Sequence, residues 1–197
     1  EATAANPRSA AAATVPLTCP TLAAVSTAFR LNAEQRAAFQ TACMPLLAFF
    51  LELADDRSSP DFVRAQAQLT AHAGGTTQTT LAVMGEGGTG KSEVIKAISH
   101  FASAWGLRRH VSITAPTGSA AILVDGCTLH SWAGIGIRRT LPKHNLSHAQ
   151  LADDPVNLTV LLIIDEVSLV SAELMGQLSK TLQRKRNSTK PFGGINV

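Results

Sequence analysis

Few cysteines, no long apolar run and little net charge set the first bounds on this chain. The three cysteines, Cys19, Cys43 and Cys127, are odd in number and widely spaced. They make neither a disulfide framework nor a Cys/His metal-ligand pattern, and a reducing compartment is the default. The longest apolar run, residues 42–51, contains Pro45 and is too short to span a bilayer. No membrane role is expected. The N-terminus lacks the charged-then-apolar layout of a secretory signal. It is rich in Ala, Ser and Thr and poor in acids, faintly like a transit peptide, but reads better as a low-complexity linker. No internal repeat is visible.

What is present is enough for one good-sized domain, or a domain with an arm: 197 residues, 45% of them hydrophobic. The first residue is Glu1 rather than Met, and Val197 closes an apolar stretch. Both ends read as cuts, so a fragment of a longer chain is expected. The net charge of +3 is uneven. Residues 76–197 carry 12 Lys and Arg against 8 Asp and Glu, and residues 1–75 carry 5 against 6. The densest basic runs are Arg138-Arg139 with Lys143, and Lys180, Arg184, Lys185, Arg186 and Lys190. Such a bias suits nucleic acid, and it equally suits a solvated surface.

Residues 1–28 show many Ala and little periodicity and are expected to form a disordered or weakly ordered arm. Residues 29–75 read as a helical segment. Asn32 with Gln35 has capping-box spacing, apolar residues recur at helical intervals to Leu51, and Pro45 is expected to kink or split that helix. A second helix is expected over 61–72, ended by Gly74-Gly75. Residues 76–197 then alternate: a strand over 79–84, a helix over 91–105, a strand over 110–114, a helix over 119–124, an irregular stretch over 134–156, a buried strand over 160–164, a helix over 172–186, and a strand beginning at 195. This order predicts an α/β fold with a parallel sheet covered by helices.

Two motifs carry chemistry. Gly85-Glu86-Gly87-Gly88-Thr89-Gly90-Lys91-Ser92 fits G-x-x-x-x-G-K-[S/T], with a strand expected before it and a helix after it. Its glycines let the backbone curl so that N–H groups converge on phosphate oxygens. The helix start adds a favourable dipole. Lys91 is placed to reach the β- and γ-phosphates, and Ser92 to ligate Mg²⁺. The second motif is Leu161-Leu162-Ile163-Ile164-Asp165-Glu166, a buried strand ending in two carboxylates. Asp165 would face the metal, and Glu166 would polarise the attacking water. Together they give an ATPase or GTPase and no more.

Three further segments follow in order around these motifs: Leu31-Asn32-Ala33-Glu34-Gln35-Arg36-Ala37-Ala38-Phe39, Ala115-Pro116-Thr117-Gly118-Ser119-Ala120-Ala121 and Thr128-Leu129-His130-Ser131-Trp132-Ala133-Gly134-Ile135-Gly136. With Asp165-Glu166-Val167-Ser168 they resemble the Pif-type DNA helicases of superfamily 1B. The form Gly-Glu-Gly-Gly-Thr-Gly-Lys-Ser-Glu-Val-Ile-Lys is especially similar to helicase-like proteins of fungal Helitron elements. The resemblance covers about residues 30–197.

The resemblance implies a P-loop NTPase (RecA-like) three-layer domain and an ATP-dependent 5′-to-3′ DNA helicase with ATP and Mg²⁺ as cofactors and single-stranded DNA as partner. It implies that Gln35 contacts the adenine edge; read alone, Gln35 is equally a capping residue. It implies that Pro116, Thr117 and Gly118 contact a DNA phosphate, and a hydroxyl with exposed N–H groups at a helix start suits that task. His130 touches DNA, positions its loop, or is a satisfied histidine. Trp132 stacks on a base or belongs to the core. Ser168 stands where the family couples nucleotide state to DNA. The Gly-Asp-x-x-Gln segment and the second RecA-like domain of the family are absent, so the domain is expected to be incomplete at its C-terminus and weakly active alone. Nuclear placement, with the mitochondrion as the other option, follows from the DNA role, and the choice among DNA repair, recombination, telomere maintenance, replication and transposition stays open at this point. Two other readings remain: a P-loop ATPase indifferent to DNA, and a non-catalytic relic of a transposon helicase.

Overall fold

A computed structural model describes residues 18–72, 78–86, 88–136 and 154–197. Eight α-helices and three short strands are described: α1 (Leu22–Ala28), α2 (Ala33–Leu53), α3 (Pro60–Ala71), α4 (Lys91–Ala104), β1 (Val111–Ala115), α5 (Gly118–Leu123), β2 (Cys127–Thr128), α6 (Leu129–Ala133), α7 (Pro155–Leu158), β3 (Leu161–Ile164) and α8 (Ala172–Lys185). The Gly74-Gly75 break, the run Arg138-Arg139 with Lys143, most of the stretch read as irregular over 134–156, and residues 1–17 of the expected arm lie outside the described residues. The end of that irregular stretch holds α7.

The sheet is parallel, with β1 between β2 and β3. Val111 pairs with Leu161 and Thr114 with Ile164, so β1 and β3 run in step. The ladder continues on the far side of β3, where Asn196 forms a parallel bridge with Leu161. Val197 in turn donates to the Thr79 carbonyl (3.0 Å) and accepts from the Leu81 N–H (2.8 Å), the hydrogen-bond pattern of a parallel pair. The side chain of Asn196 reinforces this seam, accepting from the Thr79 N–H and donating to the Val160 carbonyl.

The strand expected over 79–84 is therefore shorter than its sequence suggests. Residues 79–81 lie extended beside Val197, but no regular strand forms, and Val83 and Met84 are exposed. Among the described residues only the first half of that segment has a backbone partner, and unpaired backbone does not hold a ladder.

Alternation along the strands sorts side chains onto two faces. Val111, Ile113 and Leu161 join one core with α1, α2 and α4. Leu162 joins another with α6, α7 and α8. The result is three layers, helix, sheet and helix, as the motif order predicted. In the first layer α2 offers Phe39, Cys43, Leu46 and Leu47, and α4 offers Val94, Ala97, Ile98 and Phe101, all buried. Phe39 meets Phe101 edge-on at 5.9 Å. Each fully buried Leu or Phe in such a layer contributes about 1.5–3 kcal/mol.

Two expectations need correction here. α2 is not split at Pro45 but runs unbroken to Leu53. Proline costs that helix one backbone hydrogen bond, yet side chains are buried both before it (Phe39, Ala42, Cys43) and after it (Leu46, Leu47). The expected arm also ends earlier than residue 28. Thr21 caps α1, which buries Leu22 and Val25. Gln68 accepts from the Leu22 N–H, Arg64 donates to the Cys19 carbonyl (2.7 Å), and the Trp105 indole donates to the Pro20 carbonyl (3.0 Å). Buried Leu22 and Val25 and these long-range hydrogen bonds together dock the segment.

Candidate nucleotide site and nucleic-acid face

The start of α4 differs from that of every other described α-helix. Thr21, Asn32, Ser59, Thr117, Thr128, Asp154 and Ser171 each cap their own helix with a side-chain oxygen. α4 is preceded by Gly90, which has no side chain to offer. The Glu93 N–H turns back to the Gly90 carbonyl (3.0 Å), but among the described residues no side-chain oxygen serves the N–H groups of Lys91 and Ser92, which makes them available to an external anion. Gly90 and Gly88 both have left-handed backbones, φ 81° and 80°, that other residues adopt only with strain. Open space surrounds Gly88 where a side chain would stand. Gly87 lies outside the described residues.

Lys91 folds over this loop. Its Nζ donates to the carbonyls of Gly85 and Glu86, both at 2.8 Å. Thr89 Oγ1 donates to the Glu86 carbonyl (2.9 Å), and a Cβ on Gly85 would stand 2.9 Å from that hydroxyl. Among the described residues no carboxylate pairs with Lys91. A cation resting on neutral carbonyls beside an uncapped helix start is a fit for a polyphosphate. Ser92 follows in the exposed first turn.

Asp165 leaves the end of β3, its N–H held by the Thr114 carbonyl at 2.8 Å. Its carboxylate accepts from the Glu166 N–H (3.0 Å). Glu166 is exposed and takes a left-handed backbone, φ 50°. Because the sheet is parallel, residues 79–81 and β3 point the same way, and the loop and Asp165-Glu166 emerge at the same, C-terminal edge. Among the described residues no hydrogen bond or ion pair joins the two. Among the described residues no group of three or more His, Cys, Asp or Glu side chains could hold a metal unaided, so Ser92 and Asp165 are the protein oxygens on hand. That donor set fits Mg²⁺, which takes one or two protein oxygens and fills its shell with phosphate oxygens and water.

Gln35 is engaged twice. With Asn32 it forms the complete capping box of α2, Oε1 accepting from the Asn32 N–H and the Gln35 N–H donating to Asn32 Oδ1, both at 2.9 Å. Its Nε2 reaches across to the loop and donates to the Thr89 carbonyl at 3.0 Å. The sequence offered capping or adenine as roles for Gln35; the contact to the loop, 54 residues away, left no local trace.

On the other motif face, Thr117 caps α5 by accepting from the Ala120 N–H at 3.2 Å and shares a hydrogen bond with Ser119. Thr117 and Gly118 are exposed and Pro116 is half-buried. His130 is exposed on α6. Ser168 is exposed in the 3-10 turn after Glu166. Trp132 requires a correction: at 8% exposure it belongs to the core beneath α6 and α8, and its indole N–H donates to Ser112 Oγ at 3.0 Å. Its ring has no free face for a base. Ser112 also bonds Thr159 (2.7 Å), so the indole has a ready-made polar partner inside.

The basic run on α8 is mostly spoken for. Lys185 pairs with Asp154 at 3.0 Å, Arg186 donates to the Thr159 carbonyl, and Arg184 donates within its own helix turn. Burial pulls the Arg186 guanidinium below its ordinary pKa. The three cysteines are free. Burial, then the nearby Asp61 carboxylate, pushes the Cys19 thiol up to about 11, and burial alone raises those of Cys43 and Cys127. All three are neutral thiols at neutral pH, poor nucleophiles and poor ligands. Among the described residues no helix is long and apolar enough to cross a membrane.

Residues 65–197 match the family described as PIF1-like helicase. Over 116 residues the chain is 39% identical to the ATP-dependent DNA helicase Pif1 of Psychrobacter sp. (strain PRwf-1), covering 57% of this chain and 17% of that one. Over 123 residues it is 36% identical to the ATP-dependent DNA helicase RRM3 of Saccharomyces cerevisiae, covering 61% of this chain and 17% of that one. The chain thus spans about a sixth of the length of these relatives. A crystal structure of Pif1 helicase from Bacteroides in complex with ADP-AlF3 and ssDNA aligns at 27% identity with a TM-score of 0.49, over 67% of this chain and 30% of that one.

Proposed function

Because the chain belongs to the PIF1-like helicase family, we propose that it forms the nucleotide-cradling part of an ATP-dependent DNA helicase. The observation that carries this reading is the one α-helix start without a side-chain cap among the described residues, Gly90-Lys91-Ser92, with a lysine folded over it onto neutral carbonyls.

In this reading the first-turn N–H groups of α4 and the loop amides hold the phosphates of ATP. Lys91 exchanges its two carbonyl partners for phosphate oxygens. Ser92 and Asp165 are the protein's oxygens for Mg²⁺, which when bound neutralises charge on the transferring phosphoryl group. Glu166, exposed and one residue past Asp165, orients and polarises water. Gln35 lies against the loop as part of the same site. Pro116, Thr117, Gly118 and His130 form the exposed face offered to single-stranded DNA.

Movement along DNA needs two domains opening and closing around ATP while holding the strand. A second RecA-like domain would complete the site with an arginine, a contribution worth about 10³-fold or more in rate. The 197 residues alone are expected to bind ATP-Mg²⁺ weakly and turn it over slowly, and the work itself belongs where DNA is, in the nucleus or mitochondrion.

The test joins this chain to a second RecA-like domain and measures ATP turnover with and without single-stranded DNA. Turnover that rises with DNA supports the helicase reading; turnover indifferent to DNA points to another P-loop ATPase. Replacing Glu166→Gln in the same protein should spare ATP binding and end turnover. Loss of both together would make Glu166 structural.

A further inference from the structure

We infer that Gln35 is a positioning residue for the phosphate loop, setting its shape through the Thr89 carbonyl independently of which base the nucleotide carries. This rests on the nucleotide-site reading above and deepens it. Three observations combine. The Gln35 amide is a bridge with both ends fixed: Oε1 is held by the Asn32 N–H at 2.9 Å, and Nε2 donates to Thr89 O at 3.0 Å, with the Gly90 carbonyl next to it at 3.5 Å. Gly90 makes room for that bridge. A Cβ at Gly90 would stand 2.5 Å from Gln35 Nε2, so the residue at the helix start is small where the amide passes. The bridge also begins on a rigid base, since the first residues of α2 are locked by a full capping box and Phe39, one turn on, is buried.

The consequence is directional. The Thr89 carbonyl is drawn toward α2, so the Thr89–Gly90 peptide is turned with its oxygen to Gln35 and its N–H, one atom along the plane, to the opposite side. That N–H belongs to Gly90, at the entrance to α4, where phosphate amides are needed. Without the amide of Gln35, the Thr89 carbonyl has no other hydrogen-bond partner among the described residues, and nothing fixes the direction of its oxygen. The left-handed Gly90 backbone offers little resistance of its own. Loss of the bridge therefore lowers affinity for any ligand that the loop amides grip, whether or not it carries adenine.

The experiment measures, by isothermal titration calorimetry on the full chain, the binding of ATP, GTP and inorganic tripolyphosphate, each with Mg²⁺. Thermal melting is followed alongside. Gln35→Ala is expected to weaken all three ligands by a similar factor, about fivefold, the effect of one net hydrogen bond. Asn32→Ala serves as the control for stability. It removes the other half of the capping box and lowers the melting temperature, yet leaves Nε2 able to reach Thr89, so the affinity for tripolyphosphate should hold. A loss confined to ATP would overturn the inference in favour of an adenine contact. Equal affinity losses in Gln35→Ala and Asn32→Ala would overturn it in favour of a merely structural cap. Unchanged binding in Gln35→Ala would overturn it outright. If Lys91→Ala also leaves tripolyphosphate binding intact, the nucleotide site itself is misplaced and this inference falls with it. That result is distinguishable, because the first three outcomes require Lys91→Ala to bind poorly.

Discussion

Two helix starts in this molecule face phosphate in the proposed function, and they are built in opposite ways. α4 begins at a glycine with no side chain and a left-handed backbone. α5 begins at Thr117, whose hydroxyl already serves the Ala120 N–H. The first leaves its donors to a ligand. The second has satisfied one of its own. The difference suits their tasks. A nucleotide bound for chemistry needs several donors fixed in advance. A strand that must be gripped and released needs a contact that gives little more than the helix's internal cap. Under the proposed function Thr117 would lend its neighbourhood to a DNA phosphate and lose little when the phosphate leaves.

The largest effect expected along this contrast is at the open start. Lys91→Ala should weaken ATP-Mg²⁺ binding roughly a hundredfold, the order of a charge-assisted pair of 2–3 kcal/mol. Calorimetry on the folded variant checks it, and affinity within a factor of about two of the parent would erase the distinction between the two helix starts. At the capped start, Thr117→Asp separates the two jobs of one residue. Aspartate is a good N-cap, so melting should hold, while a carboxylate facing phosphate should lower affinity for single-stranded DNA by about tenfold. Fluorescence anisotropy with a labelled oligonucleotide reads this; undiminished binding would remove Thr117 from the DNA face. Thr117→Ala should cost about 1 kcal/mol of stability as well. The smallest effect concerns Trp132. Trp132→Phe removes the indole donor from Ser112 and should lower stability by about 1 kcal/mol while leaving DNA affinity within error. A clear fall in DNA affinity at unchanged stability would restore the base-stacking role that the sequence left open beside the core.

What could be read from residues alone was what is local. The glycine spacing before Lys91, the apolar run before Asp165 and the Asn32–Gln35 box each declare themselves within a few positions, and the layers of the fold follow from their order. What could not be read depends on partners far along the chain. Trp132 is buried because Ser112, on the neighbouring strand, offers an oxygen. The basic run of α8 is largely consumed because Asp154 and the Thr159 carbonyl come to meet it. Gln35 touches the loop because α2 packs beside α4. The strand expected over 79–84 failed for a related reason: propensity was present, but pairing reached only residues 79–81. Even α1 was hidden in its composition, since its fate is decided by Gln68 and Trp105 rather than by its own alanines.

The division of the interior by the sheet has one more consequence. The chain has two tryptophans, and the sheet assigns one to each side: Trp105 to the layer of α2 and α4, and Trp132 to the layer of α6 and α8. Each indole also reports a different polar neighbour, the Pro20 carbonyl for one and the Ser112 hydroxyl for the other. The molecule thus carries a separate optical reporter in each half of its interior. Emission spectra of the two single-tryptophan forms would tell whether added ATP changes the surroundings of one side of the sheet or of both.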